Sequence, residues 1–472
     1  MRLSRHNGKA VREYIGADRI DGPLVIAEGY GKAAYGELME VRAADGVRLG
    51  QVITTGENLA ISELWGDTAG LQPHELLLRF RGETFHTGVS REMLGRVFNG
   101  LGEPKDGLPM PLAEARVEMN GAPLNPTARA YPQHFIETGI SAIDGMNTVV
   151  RGQKLPIFSG AGLPHNELAA QIALQARIAG EGEKFAVVFV ALGVPHDTAA
   201  FFQQKFEESG LLARTALFLN LADESPLERI VTPRIALSLA EFLAFEHGYH
   251  VLVLMTNITN YAEALREISS RRNEVPGRKA YPSYLYSDLA SIFERCGRVQ
   301  GRPGSVTQIP ILTMPGDDIT HPVPDLTGYI TEGQIVLSRT LHREGIYPPI
   351  DVLPSLSRLM KNGIGAQRTR ADHPSWAAQL YASYARVQEV RAISVVIGET
   401  ALTPTDRAYL EFGKAFEKRF VAQAADQGRS IEETLNVGWE ILSLLPSSEL
   451  TRISEEDLRQ HYSGKLGRVR ND

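Results

Sequence analysis

The sequence has little cysteine, no long apolar run and no excess of positive charge. Cys296 is the only cysteine among 472 residues, so an internal disulfide cannot form and nothing indicates an oxidising compartment. The apolar runs 185–192 and 251–255 are too short to cross a bilayer, and residues 1–12 lack the apolar core of a secretory signal. The net charge of −7 does not favour nucleic acid as a partner. We therefore expect a cytoplasmic protein that only other chains would hold at a membrane.

The N-terminal part of the sequence predicts a small β-barrel. Short alternating strands follow one another between about residues 22 and 71, and the Asp45-Gly46 pair between two of them is a hairpin signal. We assign this barrel to residues 1–75. The Gly/Pro-rich segment 76–147 that follows is expected to be a structured connector, because apolar residues keep interrupting it.

The rest of the chain predicts an α/β region and then a helical one. Apolar strands at 155–158, 184–192, 215–220, 250–256 and 306–314 alternate with helical segments at 167–179, 198–208, 227–247 and 261–270. This alternation indicates a parallel sheet covered on both faces, which we assign to residues 76–359 together with the connector. Residues 360–472 carry apolar side chains at helical spacing, with Ser430 and Glu433 as a helix cap, and are expected to form an α-helical domain.

A glycine-rich turn between an apolar strand and a helix has the layout of a phosphate-binding loop. When residues 159–166 are laid on the pattern G-x-x-x-x-G-K-[ST], Ser159 and Pro164 replace the glycines, His165 replaces the lysine and Asn166 replaces the hydroxyl residue. His165 is mostly neutral at pH 7, and Pro164 removes a backbone donor. A strand-turn-helix that binds nothing, an unusual active site and a retained loop without chemistry all remain open. The candidate nucleotide-binding residues are Ser159, Gly160, Gly162, Leu163, Pro164, His165 and Asn166.

Two further positions lack groups that a nucleoside triphosphatase needs. The magnesium carboxylate is expected at the end of a later apolar strand, but the strand 250–256 is followed by Asn257. A water-activating glutamate often follows a glycine after another strand, and here Gly193 is followed by Val194. The sequence therefore predicts no metal site and no hydrolysis at this chain's own loop.

A second notable stretch, residues 347–360, is expected to be a proline-stiffened loop that presents Ser355, Ser357 and Arg358. Such a loop can hold a guanidinium in a fixed place, as is needed when arginine stabilises charge on a transferring phosphoryl group. On spacing alone, an ordinary surface or interface arginine is the more common explanation.

Four segments resemble the alpha/beta subunits of rotary ATPases. Residues 348–357 fit the signature of that superfamily, and residues 158–167, 244–247 and 325–335 are most similar to the B subunit of V-type and A-type ATP synthases. The likeness extends from about residue 22 to residue 465. It implies an N-terminal β-barrel, a central nucleotide-binding α/β domain and a C-terminal helical domain.

The resemblance also implies a function and partners. The chain would be a non-catalytic, regulatory subunit that alternates with catalytic A subunits in an A3B3 ring at the cytoplasmic face of a membrane, with central rotor and peripheral stalk subunits. ATP synthesis or hydrolysis would be coupled to proton or sodium transport through a separate membrane sector. Arg358 matches the arginine that acts in trans on the A-subunit site.

The resemblance further implies where nucleotide lies. ATP or ADP is expected at the A–B interface, with Mg²⁺ bound only with the A subunit, while the loop 159–166 has weak or no binding. Ser355 and Ser357 join the candidate nucleotide contacts. Asn257 departs from the aspartate of many relatives, which argues against metal-assisted nucleotide binding by this chain.

Two other functions fit the residues. One is a self-sufficient ring ATPase of a related export or helicase family that uses His165 in place of lysine. The other is a scaffold subunit with a vestigial nucleotide fold. ATPase activity of the chain alone would favour the first alternative, and normal turnover of rings without Arg358 would favour the second.

Overall fold

The computed structural model describes residues 2–6, 9–29, 33–65, 68–121, 124–178, 183–272 and 274–464. Its N-terminal region is rich in strands, as predicted. The strands are β1 (Arg2–His6), β2 (Lys9–Ile15), β3 (Arg19–Asp21), β4 (Leu24–Glu28), β5 (Leu38–Ala43), β6 (Gly46–Thr55), β7 (Leu59–Trp65) and β8 (Leu77–Phe80).

These eight strands form one antiparallel sheet in the order β1-β2-β8-β5-β6-β7-β4-β3. Alternate residues such as Val25, Met39 and Leu78 are fully buried in a single core. The predicted hairpin joins β5 to β6, with its turn one residue earlier than expected. Because β8 belongs to this sheet, the sheet extends past residue 75, and the three domain boundaries stay predictions.

The Gly/Pro-rich connector is structured. It contains β9 (His86–Val89), β10 (Val97–Asn99), β11 (Ala115–Glu118), β12 (Phe135–Glu137) and the short helix α1 (Ser141–Asp144), and β13 (Val149–Val150) follows it. β9 pairs with β11, whereas β10 lies at the edge of the large sheet that follows.

The central region contains the predicted parallel sheet. Its remaining strands are β14 (Ile157–Gly160), β15 (Arg177–Ile178), β16 (Phe185–Val194), β17 (Thr215–Leu221), β18 (His250–Thr256), β19 (Gly297–Arg298), β20 (Ser305–Met314), β21 (Gly333–Leu337) and β22 (Ile350–Ser357). The order is β10-β17-β16-β18-β20-β14-β21-β22, and β19 pairs with β20. The ladders from β10 to β21 are parallel, and β22 is antiparallel to β21. β15 pairs instead with β12, which lies between β15 and β13 in a separate three-stranded sheet.

Helices cover both faces of this sheet. They are α2 (His165–Gln175), α3 (His196–Glu208), α4 (Pro226–Phe245), α5 (Ile258–Arg271), α6 (Leu285–Phe293), α7 (Pro322–Ile330) and α8 (Arg339–Arg343). Alternate side chains of β16 belong to different cores: Phe189 packs in one, with α2 and α3, and Val190 packs in the other, with α4 and α5. This double burial explains the continuous apolar strands of the sequence.

Two local expectations were wrong. Residues 350–357 form the edge strand β22 rather than a loop, and Pro354 is accommodated because the register breaks between the pairs Val336–Asp351 and Gln334–Leu356; proline is tolerated at such edges and bulges. The helix predicted over 167–179 ends at Gln175, because the chain then pairs with β12. Residue 179 lies outside the described residues.

The C-terminal region is helical, as predicted. It contains α9 (Met360–Gly363), α10 (His373–Ile397), α11 (Pro404–Ala415) with a π-helical continuation (Phe416–Val421), α12 (Ile431–Leu442) and α13 (Glu455–His461). The predicted cap is present: Ser430 Oγ accepts a hydrogen bond from Glu433 N at 3.2 Å, and Glu433 Oε2 accepts one from Ser430 N at 2.7 Å. Within the part of the chain that the structure describes, no helix is both long enough and apolar enough for a bilayer crossing.

Packing around Trp376 generates a stability prediction. Gly438 of α12 lies against this fully buried ring, and a methyl group on Gly438 would be 2.0 Å from Cζ2 of Trp376. Gly438→Ala should therefore destabilise the helical region, since overpacking costs about 1–3 kcal/mol. Urea unfolding followed by tryptophan fluorescence measures the change.

The matched control is Gly328→Ala in α7, where no described atom lies within 4 Å of the added methyl group. Because alanine is the better helix former, this variant should gain about 0.5–1 kcal/mol. Equal stability of the two variants would contradict the packing argument.

Candidate functional site

The predicted loop joins β14 to α2, and its histidine is half-buried and hydrogen-bonded within the protein. Nδ1 of His165 lies 3.0 Å from the carbonyl oxygen of Leu163 and 3.2 Å from Oγ of Ser159. Because a carbonyl oxygen only accepts, we assign the ring proton to Nδ1, which leaves Nε2 as an acceptor. Burial lowers the pKa of His165, so the ring is neutral at pH 7. It therefore offers a phosphate neither the charge nor the reach of a lysine.

The loop backbone is also partly used within the protein. Pro164 has no N–H, and the amide of His165 donates to the carbonyl oxygen of Leu163 at 2.8 Å. The amide of Leu163 in turn donates to the carbonyl oxygen of Gly160 at 3.2 Å. Fewer donors are thus available to an anion than in an ordinary phosphate loop.

An ion pair that the sequence did not reveal lies over the start of the loop. Arg339 donates to Asp317 Oδ2 at 2.7 Å and to the carbonyl oxygen of Ala161 at 2.9 Å. A methyl group on Gly160 would be 2.2 Å from Asp317 Oδ1. The hydrogen bond from Arg339 keeps the pKa of Asp317 below its usual value. Only their positions after β20 and β21 at the carboxyl edge of the sheet could have suggested these residues.

The residues at the expected metal position do not fit Mg²⁺. Asn166 Oδ1 accepts from Thr256 Oγ1 at 3.3 Å. Asn257 is buried, and its Oδ1 accepts from the amides of Thr259 at 2.9 Å and Thr313 at 3.2 Å. Both side chains are uncharged, and both oxygens already accept hydrogen bonds within the protein. Mg²⁺ is usually bound through one or two carboxylates, so we derive no step through a metal at this loop.

The expected position of a water-activating group is occupied by the hydrophobic core. Val194 is the last residue of β16, is only 4% exposed and packs in one cluster with Leu163 and Leu221. A buried alkyl side chain cannot orient water. The loop and the neighbouring strand ends lie at the same edge of the sheet, with Val194 and Asn257 at the two positions where a glutamate and a magnesium carboxylate were expected.

Arg358 follows β22 directly and is exposed. Its Nη1 donates to the carbonyl oxygen of Thr331 at 3.3 Å, and its backbone amide donates to that of Glu332 at 2.9 Å. No carboxylate of the described residues lies within 4.0 Å of its guanidinium. The side chain lines a groove of about 270 Å³ together with Tyr329 and Gln334. Its positive charge is therefore presented at the surface, with no carboxylate of the described residues at ion-pair distance.

The two serines of the same strand point into the protein. Ser355 Oγ accepts from the amide of Val336 at 2.9 Å. Ser357 Oγ accepts from Nε2 of Gln153 and donates to the carbonyl oxygen of Thr148, both at 2.9 Å. These bonds hold β22 against the sheet. A role of Ser355 and Ser357 in nucleotide contact stays a prediction.

The loop and Arg358 lie at opposite ends of the sheet. β14 and β21 are parallel, with Ile157 opposite Ile335, and β22 returns antiparallel, with Ser357 opposite Gly333. Ser357 is therefore level with Gly333, two residues before the Ile157–Ile335 pair, whereas the loop begins after β14 ends, three residues beyond that pair. Along the strands, the end of β22 and the start of the loop are thus five residues apart, or about 16 Å at about 3.3 Å per residue. Arg358 is therefore not placed to contact a phosphate at its own loop.

Known proteins are similar to this chain in sequence and in fold. Residues 139–357 match the family model "ATP synthase alpha/beta family, nucleotide-binding domain", and residues 362–462 match "C-terminal domain of V and A type ATP synthase". The B subunit of the A-type ATP synthase of Aeropyrum pernix is 59% identical over 453 residues, which are 96% of this chain and 98% of that protein. The solved structure of the ATP synthase subunit NeqB from Nanoarcheaum equitans is 44% identical with a TM-score of 0.72, covering 89% of this chain and 98% of that one. The chain therefore belongs to the ATP synthase alpha/beta family, with a C-terminal domain of the V and A type.

Proposed function

We propose that this chain is the non-catalytic, regulatory B subunit of a V/A-type rotary ATPase or ATP synthase, and that it donates Arg358 to the catalytic site of a neighbouring A subunit. One observation carries the proposal: Arg358 is exposed without a carboxylate partner among the described residues, at the end of the sheet opposite to its own loop. An arginine in that position is available to a neighbouring chain. The likeness to the B subunit of an A-type ATP synthase supports the assembly.

The state of the chain's own loop supports the non-catalytic part of the proposal. His165 is neutral, Asn166 and Asn257 are hydrogen-bonded within the protein, and Val194 is buried. We infer that ATP or ADP is bound at the A–B interface, with Mg²⁺ held by the A subunit, and that the loop 159–166 binds nucleotide weakly or not at all.

The contribution of Arg358 would be electrostatic. During phosphoryl transfer, charge accumulates on the oxygens of the γ-phosphoryl group, and a guanidinium placed beside them stabilises the transition state more than the ground state. Burial of Arg358 in the interface would strengthen this attraction, because the local dielectric falls. Arginine fingers of this kind are worth roughly 10³- to 10⁵-fold in kcat.

The wider assembly is part of the same proposal. The chain would alternate with A subunits in an A3B3 ring, contact central rotor and peripheral stalk subunits, and lie at the cytoplasmic face of a membrane. Proton or sodium transport would take place in a separate membrane sector. We divide the chain into an N-terminal domain (1–75), a central domain (76–359) and a C-terminal domain (360–472).

Replacement of Arg358 tests the proposal. In the assembled ring, Arg358→Lys should lower kcat by roughly 10³-fold or more, while KM changes much less, because a lysine cannot reproduce the planar, forked donor geometry of arginine. Steady-state ATPase kinetics of the purified ring measure both constants.

Arg386→Lys is the matched control, since Arg386 is an exposed arginine of α10 that pairs with Glu389 at 2.7 Å. Its kinetics should equal those of the wild type. Ordinary turnover of the Arg358→Lys and Arg358→Ala rings would overturn the proposal and would favour a scaffold subunit.

A charged residue in place of His165 should restore phosphate affinity. His165→Lys is expected to lower the Kd for ATP of the isolated chain by about tenfold or more, because a hydrogen bond to a charged group is worth about 1.5–3 kcal/mol. His165→Gln, which is uncharged, should not lower it. Isothermal titration measures the Kd. Tight binding by the wild type that His165→Ala abolishes would contradict a degenerate loop and favour the self-sufficient ATPase.

A further inference from the structure

Arg358 is hydrogen-bonded to the backbone of residues 331–332, and a buried lysine binds this segment. Lys154 lies just before β14 and is only 4% exposed, and its ammonium group is paired with Glu332 Oε1 just before β21. The amide of Lys154 donates to Glu332 Oε2 at 2.8 Å, and the amide of Glu332 donates back to the carbonyl oxygen of Lys154 at 3.0 Å. Three contacts therefore hold these two residues in one arrangement.

The same segment provides both acceptors of Arg358. The carbonyl oxygen of Glu332 accepts from the amide of Arg358 at 2.9 Å, and that of Thr331 accepts from its Nη1 at 3.3 Å. Gln153, next to Lys154, bonds to the carbonyl oxygen of Glu332 at 3.3 Å and to Ser357 Oγ at 2.9 Å. Any shift of residues 331–332 would move both atoms that orient Arg358.

A charged pair at this place needs a reason other than stability. Taking charges out of water costs several kcal/mol per ion, and apolar replacements of such pairs are often no less stable. Burial lowers the pKa of Lys154, but its interactions with Cys296, Glu332 and Glu294 outweigh burial and raise the pKa overall. Glu294 Oε1 lies 3.3 Å from Nζ of Lys154. Lys154 thus remains a cation at pH 7, and its ion pair holds Glu332 next to the first residues of β14.

We propose that Lys154 is a positioning residue for Arg358, acting through Glu332. The ion pair fixes the carbonyl groups of residues 331–332, and these direct the guanidinium toward the neighbouring subunit. Lys154 touches no nucleotide and takes no part in the chemistry itself. The inference rests on the proposed function of Arg358. It adds Lys154, which lies just before β14, to the residues that support catalysis in the neighbouring subunit.

The test compares two glutamates in the assembled ring. Glu332→Ala removes the nearer of the two carboxylate partners of Lys154 and should lower kcat about 10- to 100-fold with little change of KM, since small misplacements of a catalytic group cost up to about 100-fold. Glu241→Ala is the control, because Glu241 likewise pairs with a buried cation of the central region, Arg295, at 2.7 Å. It should lose stability without losing kcat.

Lys154→Met tests the pair from the other side, and Lys154→Arg, which keeps the charge, should recover most of the activity.

A double-mutant cycle separates positioning from a general structural effect. In an Arg358→Ala background, Glu332→Ala should cause no further loss of kcat, because the residue through which it acts is gone. Losses that multiply in the double mutant, or equal losses for Glu332→Ala and Glu241→Ala, would overturn the inference. If Lys154→Met does not assemble, Glu332→Ala and its cycle decide alone. Unchanged turnover of Arg358→Ala itself would instead overturn the proposed function.

Discussion

β22 runs antiparallel to β21, and this reversal places Arg358 at the opposite edge of the sheet from the loop 159–166. Parallel strands place their loops at the carboxyl edge of a sheet, which is where residues 159–166 lie. The reversed last strand ends at the other edge and leaves Arg358 there, about 16 Å from the loop by strand register. A single nucleotide cannot use both. Under the proposed function the two features belong to two different subunit interfaces, and only the one with Arg358 serves catalysis.

The substituted residues of the loop now have structural roles. His165 bonds to the loop backbone, Asn166 accepts from Thr256, and Asn257 caps α5 and ties it to β20. Buried polar groups are costly unless they are hydrogen-bonded. Each of these three side chains is hydrogen-bonded to residues around it, so none is left as an unpaired polar group. The fold of the ATP synthase alpha/beta family is retained, and under the proposed function this loop takes no part in the chemistry.

Much of the fold could be predicted because its signals are local. The apolar strand β16 and the Ser430–Glu433 cap depend only on residues close together in the sequence, and both are present in the structure. β22 was missed because its proline suggests a loop, and only its pairing with β21 shows that an edge strand with a register break accommodates it. The pairs Asp317–Arg339 and Lys154–Glu332 could not be foreseen, since each joins the ends of different strands. Such contacts depend on strand order, which composition and spacing do not specify.

The most direct test of the central claim is the ATPase rate of this chain purified alone, of its catalytic A subunit purified alone, and of the two mixed. The account predicts turnover in the mixture and none from this chain, because the arginine and the nucleotide site come from different subunits. ATP hydrolysis by this chain alone at a rate comparable to that of the mixture would contradict it.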